Sequence, residues 1–229
     1  IIKITYPKQG MPTMPVNKSN FHSIKTQLAE KQVTLVAVSK TKSVSAIQEL
    51  YNLGHRDFGE NYVQELVDKE ALLPKDINWH FIGHLQTNKV KLIAPFVQLI
   101  HGVDSLKLLK EINKQAEKNN RVIDCLLQVH IAQEETKFGL NEEELQSLVK
   151  ELAKPEMKNV RVCGLMGMAS FTTDIQKVRK EFEYLKQLFD SVLNFEILSM
   201  GMSNDYKTAI EEGSTMVRIG SLLFGEREK

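Results

Sequence analysis

Eight short apolar runs, each followed by a helical pattern, constrain the fold of this chain more than any other feature. The runs cover residues 33–39, 57–59, 79–83, 96–101, 123–131, 160–168, 195–200 and 216–219. They are of strand length and rich in Val, Ile, Leu and Phe, which suits strands buried on both faces. The helical patterns between them cover 43–53, 61–73, 87–94, 105–118, 141–153, 174–192 and 204–212. Their punctuation agrees with this assignment. Ser43, Ser105 and Asn141 stand at N-cap positions, while Gly54, Pro74, Pro95, Pro155 and Gly213 follow the ends. Strands separated by helices require right-handed crossovers and a parallel sheet. Eight such units predict a closed (β/α)8 TIM barrel, which takes about 200 residues or more. The rival is an open doubly wound sheet, but the G-x-G-x-x-G fingerprint that would favour it is absent after the first strand. The run at 57–59 is the weakest element.

No flexible linker or low-complexity tract divides the pattern, so one barrel domain is expected over 18–229, with an extra helix at 20–31 and a short final one at 222–225. Residues 1–17, which include Pro7, Gly10, Pro12 and Pro15, read as an irregular extension. The hydrophobic content of 42% and charged content of 26% are those of a globular protein, and the formal net charge of +1 gives no reason to expect nucleic acid as a partner. Cys125 and Cys163 lie inside apolar runs with no CxxC or His/Cys cluster; they read as buried thiols in a reducing compartment. No stretch approaches membrane-spanning length, and the start lacks a signal-peptide pattern, so a cytoplasmic location is expected.

In a barrel, chemistry sits where strands end. Those positions hold Lys40, Glu60 and Asn61, His84, Asp104, His130, Met166 to Met168, Ser199 to Ser203, and Arg218 to Gly220. Lys40 closes the first strand, where a dry pocket would free its amine for Schiff-base chemistry; the alternative is a lysine that snorkels into water. Lys42 competes with it but lies beyond the strand, beside the Ser43 cap. Gly201 to Asp205 after strand seven and Arg218 to Ser221 after strand eight occupy the two loops where barrels often hold phosphate. Glycines let backbone N–H groups approach an anion, and Ser203 adds a hydroxyl, although each residue taken alone also reads as turn or cap geometry. A lysine amine opposite a phosphate cradle suggests a small phosphorylated aldehyde, and pyridoxal 5′-phosphate fits.

Six ordered motifs carry a resemblance. They are Ala37-Val38-Ser39-Lys40-Thr41-Lys42, Phe58-Gly59-Glu60-Asn61-Tyr62-Val63-Gln64-Glu65, and Trp79-His80-Phe81-Ile82-Gly83 with Leu85-Gln86-Thr87-Asn88-Lys89; then Gly164-Leu165-Met166, Leu198-Ser199-Met200-Gly201-Met202-Ser203 and Val217-Arg218-Ile219-Gly220. Together they closely resemble the pyridoxal phosphate homeostasis proteins, from about residue 20 to Arg227. The resemblance implies a single barrel similar to the N-terminal domain of alanine racemase, the fold type III of pyridoxal phosphate proteins. It implies that Lys40 carries the cofactor as a Schiff base, that Ser203 and the backbone of Ile219 and Gly220 hold the phosphate, and that Arg218 faces the pyridine nitrogen. Asn61 and Met166 would line the ring pocket. His80 and Lys137 also match, the alternatives being an internal barrel histidine and a surface lysine.

Three functions are compatible with a lysine in this place. The first is a carrier that holds pyridoxal phosphate without turnover in vitamin B6 homeostasis, with apoenzymes as candidate recipients. The second is an amino-acid racemase, and the third a Schiff-base aldolase, for which Glu60 is a candidate acid or base. Two-base racemisation needs a proton-transfer group opposite the lysine. In alanine racemase a partner's second domain supplies that tyrosine, and no such domain is seen after Arg218; Tyr62 and Tyr206 are the local candidates. Arg218 beside the ring nitrogen would also disfavour a protonated ring, although alanine racemase shares that arginine. The carrier, as a monomer, is the expectation.

Overall fold

The computed structural model describes residues 16–132, 138–152 and 154–226. Its strands are β1 (Thr34–Val38), β2 (Asp57–Glu60), β3 (Asn78–Phe81), β4 (Leu99–Val103), β5 (Ile123–Gln128), β6 (Val160–Met166), β7 (Ile197–Met202) and β8 (Met216–Ile219). Its helices are α1 (Lys18–Glu30), α2 (Val44–Asn52), α3 (Val63–Leu72), α4 (Val90–Ile93), α5 (Leu106–Lys118), α6 (Glu142–Leu152), α7 (Ile175–Asp190), α8 (Tyr206–Glu211) and α9 (Ser221–Phe224). Short 3-10 turns at Thr87–Lys89 and Pro155–Met157 complete the set.

The strands form a closed parallel barrel in chain order. β1 pairs with β8, from Thr34 against Met216 to Ala37 against Ile219, and this pairing joins the two ends of the chain. The predicted barrel and its leading helix are therefore observed, the weak second strand included. The differences are local. β4 begins at Leu99, because the amides of Phe96 and Val97 bond back to Ile93 O and extend the preceding turn. The predicted helix at 87–94 is a 3-10 turn followed by a single turn of α-helix. β5 ends at Gln128, after which Val129 bridges to Leu140.

Several helices start where side chains satisfy their free amides. Ser43 Oγ accepts from Ala46 N, Ser105 Oγ from Leu108 N, and Asn141 and Glu144 cap each other reciprocally. One large core lies between the outer faces of the strands and the helices, and includes Phe21, Phe58, Phe81, Phe182 and Phe224. Inside the barrel, Val36, Leu99, Leu126, Cys163, Met166 and Met216 form a separate apolar cluster. The remainder of the interior is polar, with His80, His101, Ser199 and Arg218 all buried. Both cysteines are buried, and burial raises both thiol pKa values. No helix among the described residues is long and apolar enough to cross a membrane.

Candidate functional site

A cavity of about 510 Å³ opens at the C-terminal ends of the strands, a size that suits a small organic ligand. Lys40, Asn61, Ser203, Arg218 and Gly220 line it together, though they come from four different strand ends.

Lys40 follows β1 on a short turn closed by Lys42 N donating to Ser39 O. The turn forces Thr41 to φ 64°, a left-handed conformation that is unusual for a β-branched residue. A buried group of charges holds both neighbours of Lys40. Glu65 Oε1 accepts from Thr41 N at 2.6 Å, and Glu60 Oε1 accepts from Ser39 Oγ at 2.6 Å. Lys69 Nζ donates to Ser39 O, Glu60 Oε1 and Glu65 Oε1 at 2.7 to 2.8 Å. Burial pushes the Glu60 carboxyl up to about 7 against the opposing pull of Lys69. Glu60 is fully buried and is absent from the cavity wall, so it is not an exposed strand-end carboxylate. Sequence reasoning missed Glu65 and Lys69. Their i,i+4 spacing was a signal, but it reads as an ordinary exposed helix pair.

The competing lysine has a different task. Lys42 Nζ donates to the carbonyl oxygens of Phe224, Gly225 and Glu226, and so satisfies acceptors at the end of α9.

Across the mouth, the two loops meet directly. Gly220 N donates to Ser203 Oγ at 3.3 Å. Gly201 has φ +95°, and a Cβ there would lie 2.5 Å from Ala209 Cβ, so only glycine lets the loop cross α8. Asp205 Oδ1 accepts from Met202 N at 2.6 Å and closes the turn.

Arg218 rises from β8 with 4% of its surface exposed. Its Nη1 donates to Ser199 O and Oγ at 2.9 and 2.6 Å, and its Nη2 to Gly167 O at 3.1 Å. Among the described residues no carboxylate is in ion-pair contact with it, and burial lowers its pKa to about 10, which leaves it cationic at neutrality.

The remaining expectations fall in different places. Asn61 is on the cavity wall, and its Oδ1 is buried with no protein partner. Met166 belongs to the interior apolar cluster, and Met168, two residues on, reaches the wall. Ile219 is fully buried, packed outward into the main core. His80 lies inside the barrel. His84 is near Asp104 and stacks on Phe138, away from the cavity lining. Tyr62 and Tyr206 do not line the cavity either. Lys137 lies outside the described residues, as does the segment before residue 16. Ala169 to Phe171, beyond the strand-end Met168, form a further stretch of wall that sequence reasoning did not find, anchored by Ser170 N and Oγ donating to Glu181.

The family model of the alanine racemase N-terminal domain matches residues 17–228. The pyridoxal phosphate homeostasis protein of Aquifex aeolicus is 46% identical over 205 residues, which cover 87% of this chain and 89% of that protein. The protein of the same name from Escherichia coli is 39% identical over 209 residues, covering 86% and 87%. PipY of Synechococcus elongatus, solved with pyridoxal phosphate bound, superposes with a TM-score of 0.83 at 33% identity, covering 90% of this chain and 99% of that one. Alanine racemase of Clostridium difficile shares the fold, with a TM-score of 0.71 at 16% identity over 92% of this chain and 56% of its own. The chain belongs to the pyridoxal phosphate homeostasis proteins, a family built on the alanine racemase N-terminal domain.

Proposed function

We propose that this protein binds pyridoxal 5′-phosphate covalently through Lys40 and acts in vitamin B6 homeostasis as a carrier without turnover of its own. The observation that carries the reading is the convergence of Lys40, Arg218 and the Ser203–Gly220 contact on one cavity. The residues present fit the group. Asn61 Oδ1 is a buried acceptor that lacks a protein partner, and a side chain at Gly220 would be tight, with Val38 O 3.2 Å from where its Cβ would stand. When bound, pyridoxal phosphate supplies an aldehyde that condenses with a lysine amine.

The chain's own residues divide the work. Ser203 and the backbone of Ile219 and Gly220 would hold the phosphate. Asn61 and Met168 would bound the ring. Arg218 places a fixed cation with N–H donors at the ring's edge and disfavours a proton on the ring nitrogen. The Ser39–Thr41 turn holds Lys40 from behind through Glu60, Glu65 and Lys69. Among the described residues lining the cavity there is no tyrosine or histidine; besides Lys40 and Arg218 its ionisable groups are Lys42, Asp205 and Glu226, of which Lys42 donates to three backbone carbonyls and Asp205 accepts from the Met202 amide. That composition favours a carrier over a two-base racemase.

Borohydride reduction of the loaded protein followed by peptide mapping tests the reading. The adduct is expected on the peptide of Lys40, and Lys40→Ala is expected to lose the absorbance band. A band that survives dialysis in Lys40→Ala would refute the assignment. Sustained solvent-deuterium exchange at the α-carbon of alanine over many turnovers would replace the carrier with a racemase.

A further inference from the structure

A continuous hydrogen-bonded path crosses the barrel interior beneath the cavity. Asp57 opens β2 at the N-terminal end of the barrel. His80 Nε2 lies 3.1 Å from Asp57 Oδ1, and His80 Nδ1 lies 3.0 Å from His101 Nε2. His101 Nδ1 lies 3.1 Å from Ser199 Oγ, which accepts from Arg218 Nη1 at 2.6 Å. Five strands, β2, β3, β4, β7 and β8, contribute one residue each.

Elementary donor and acceptor rules give the path a direction. Arginine only donates and an ionised aspartate only accepts. Ser199 Oγ takes an N–H from Arg218, so its own proton is left for His101 Nδ1. His101 then carries its proton on Nε2 and donates to His80 Nδ1. His80 in turn carries its proton on Nε2 and donates to Asp57. With both rings neutral, each histidine has one tautomer that satisfies every link. The opposite direction would set the lone pair of His80 Nε2 against the Asp57 carboxylate unless an extra proton were added. Full burial holds His101 neutral. Links of this kind polarise one another in series.

We propose that Asp57 is a positioning residue for the ligand site: through His80, His101 and Ser199 it fixes the orientation and electrostatic setting of Arg218 at the cavity. The proposal rests on the reading above, in which Arg218 faces bound pyridoxal phosphate. The Asp205 charge on the same wall favours the Arg218 cation, but no carboxylate among the described residues is in contact with Arg218, and the bonded path leads from it to a carboxylate at the other end of the barrel.

Asp57→Asn keeps an acceptor at Oδ1 and removes the charge. Nitrogen-15 NMR of the histidine rings in the ligand-free protein is expected to show single Nε2–H tautomers. In Asp57→Asn both rings are expected to become tautomer mixtures, His101 included, although Asp57 does not touch it. After loading with pyridoxal phosphate, the variant is expected to retain the borohydride adduct on Lys40 but to show a shifted absorbance maximum. A variant that moves only the His80 signals and leaves the band in place would overturn the proposal, since a local structural role does no more. Ser199→Ala cuts the path above His101 and supplies a second reading if Asp57→Asn does not fold. It is expected to shift both the band and the His101 signals, and no shift in either would overturn the relay. If the unsubstituted protein gives no adduct on Lys40, the functional reading fails, while the ligand-free spectra still decide the path.

Discussion

The two sides of the cavity are held in different ways. Behind Lys40 stands a compact group of buried charges, in which Lys69 bridges two carboxylates and a carbonyl. Behind the Ser203–Gly220 side there is mostly backbone in close approach, with no room for a side chain at Gly201 and a tight fit for one at Gly220. The lysine side depends on charge compensation in a dry place, where removing one partner strands the others. The cradle depends on shape, where adding one carbon is the damaging change. The two walls are thus supported by two kinds of interaction that fail under different substitutions.

The largest expected effect breaks the charged side. Lys69→Met leaves Glu60 and Glu65 buried without their cation and is expected to cost about 3–5 kcal/mol in urea unfolding. It is also expected to slow the reaction of Lys40 with an aldehyde probe, because the turn that carries the lysine loses its anchor. A loss below about 1 kcal/mol would mean that the carboxylates are already neutral or hydrated, and the contrast between the two sides would weaken.

The pH dependence of stability reads the same group. The folded Glu60 carboxyl sits at about 7, raised from its usual 4.5, so the folded state holds that proton more tightly than the unfolded chain does. Its contribution is fully present below about 4.5 and is lost as pH rises through about 7, on the order of 3 kcal/mol in total. Glu60→Gln is expected to flatten the profile of unfolding free energy between about pH 5 and pH 8. An unchanged slope in that variant would remove Glu60 from the account.

On the other side, Gly201→Ala adds a Cβ 2.5 Å from Ala209 at a φ of +95°. The expected cost is about 2–3 kcal/mol, with a weaker grip on phosphate and no change in the pH slope that belongs to Glu60. A variant as stable as the parent would show that the cradle yields more easily than its packing indicates. The smallest effect is expected from Thr41→Gly, which relieves the left-handed backbone at φ 64°. It is expected to leave stability within about 1 kcal/mol of the parent, since relief of strain and loss of chain entropy oppose each other. Calorimetric melting would detect a larger change, which would mean that Thr41 contributes more than its amide bond to Glu65.

The barrel was readable in the sequence because its signals are local and repeated: an apolar run, a cap, an amphipathic stretch, then glycine or proline. The sequence favours Lys40 over Lys42 by its place at the end of β1; both lysines line the cavity, and Lys42 Nζ donates to three carbonyls at the end of α9. The supports were not readable. Glu65 and Lys69 look like a surface pair on α3 because a sequence shows spacing without burial. The path from Asp57 to Arg218 draws one residue from each of five strands, and no local pattern links them. Met166 and Met168 share one face of the chain, and only the depth of the layer distinguishes the interior methionine from the one at the wall.

The pairing of β1 with β8 has a consequence for how the protein is made. Lys40 leaves the ribosome well before Arg218 and Gly220. During most of synthesis Lys40 therefore exists without the rest of the cavity wall. The last parallel pairing, which spans nearly the whole sequence, is a slow kind of contact to form. A nascent chain cannot assemble this pocket until that seam closes, so capture of the ligand coincides with completion of the fold, and a bound ligand would hold the first and last strands together.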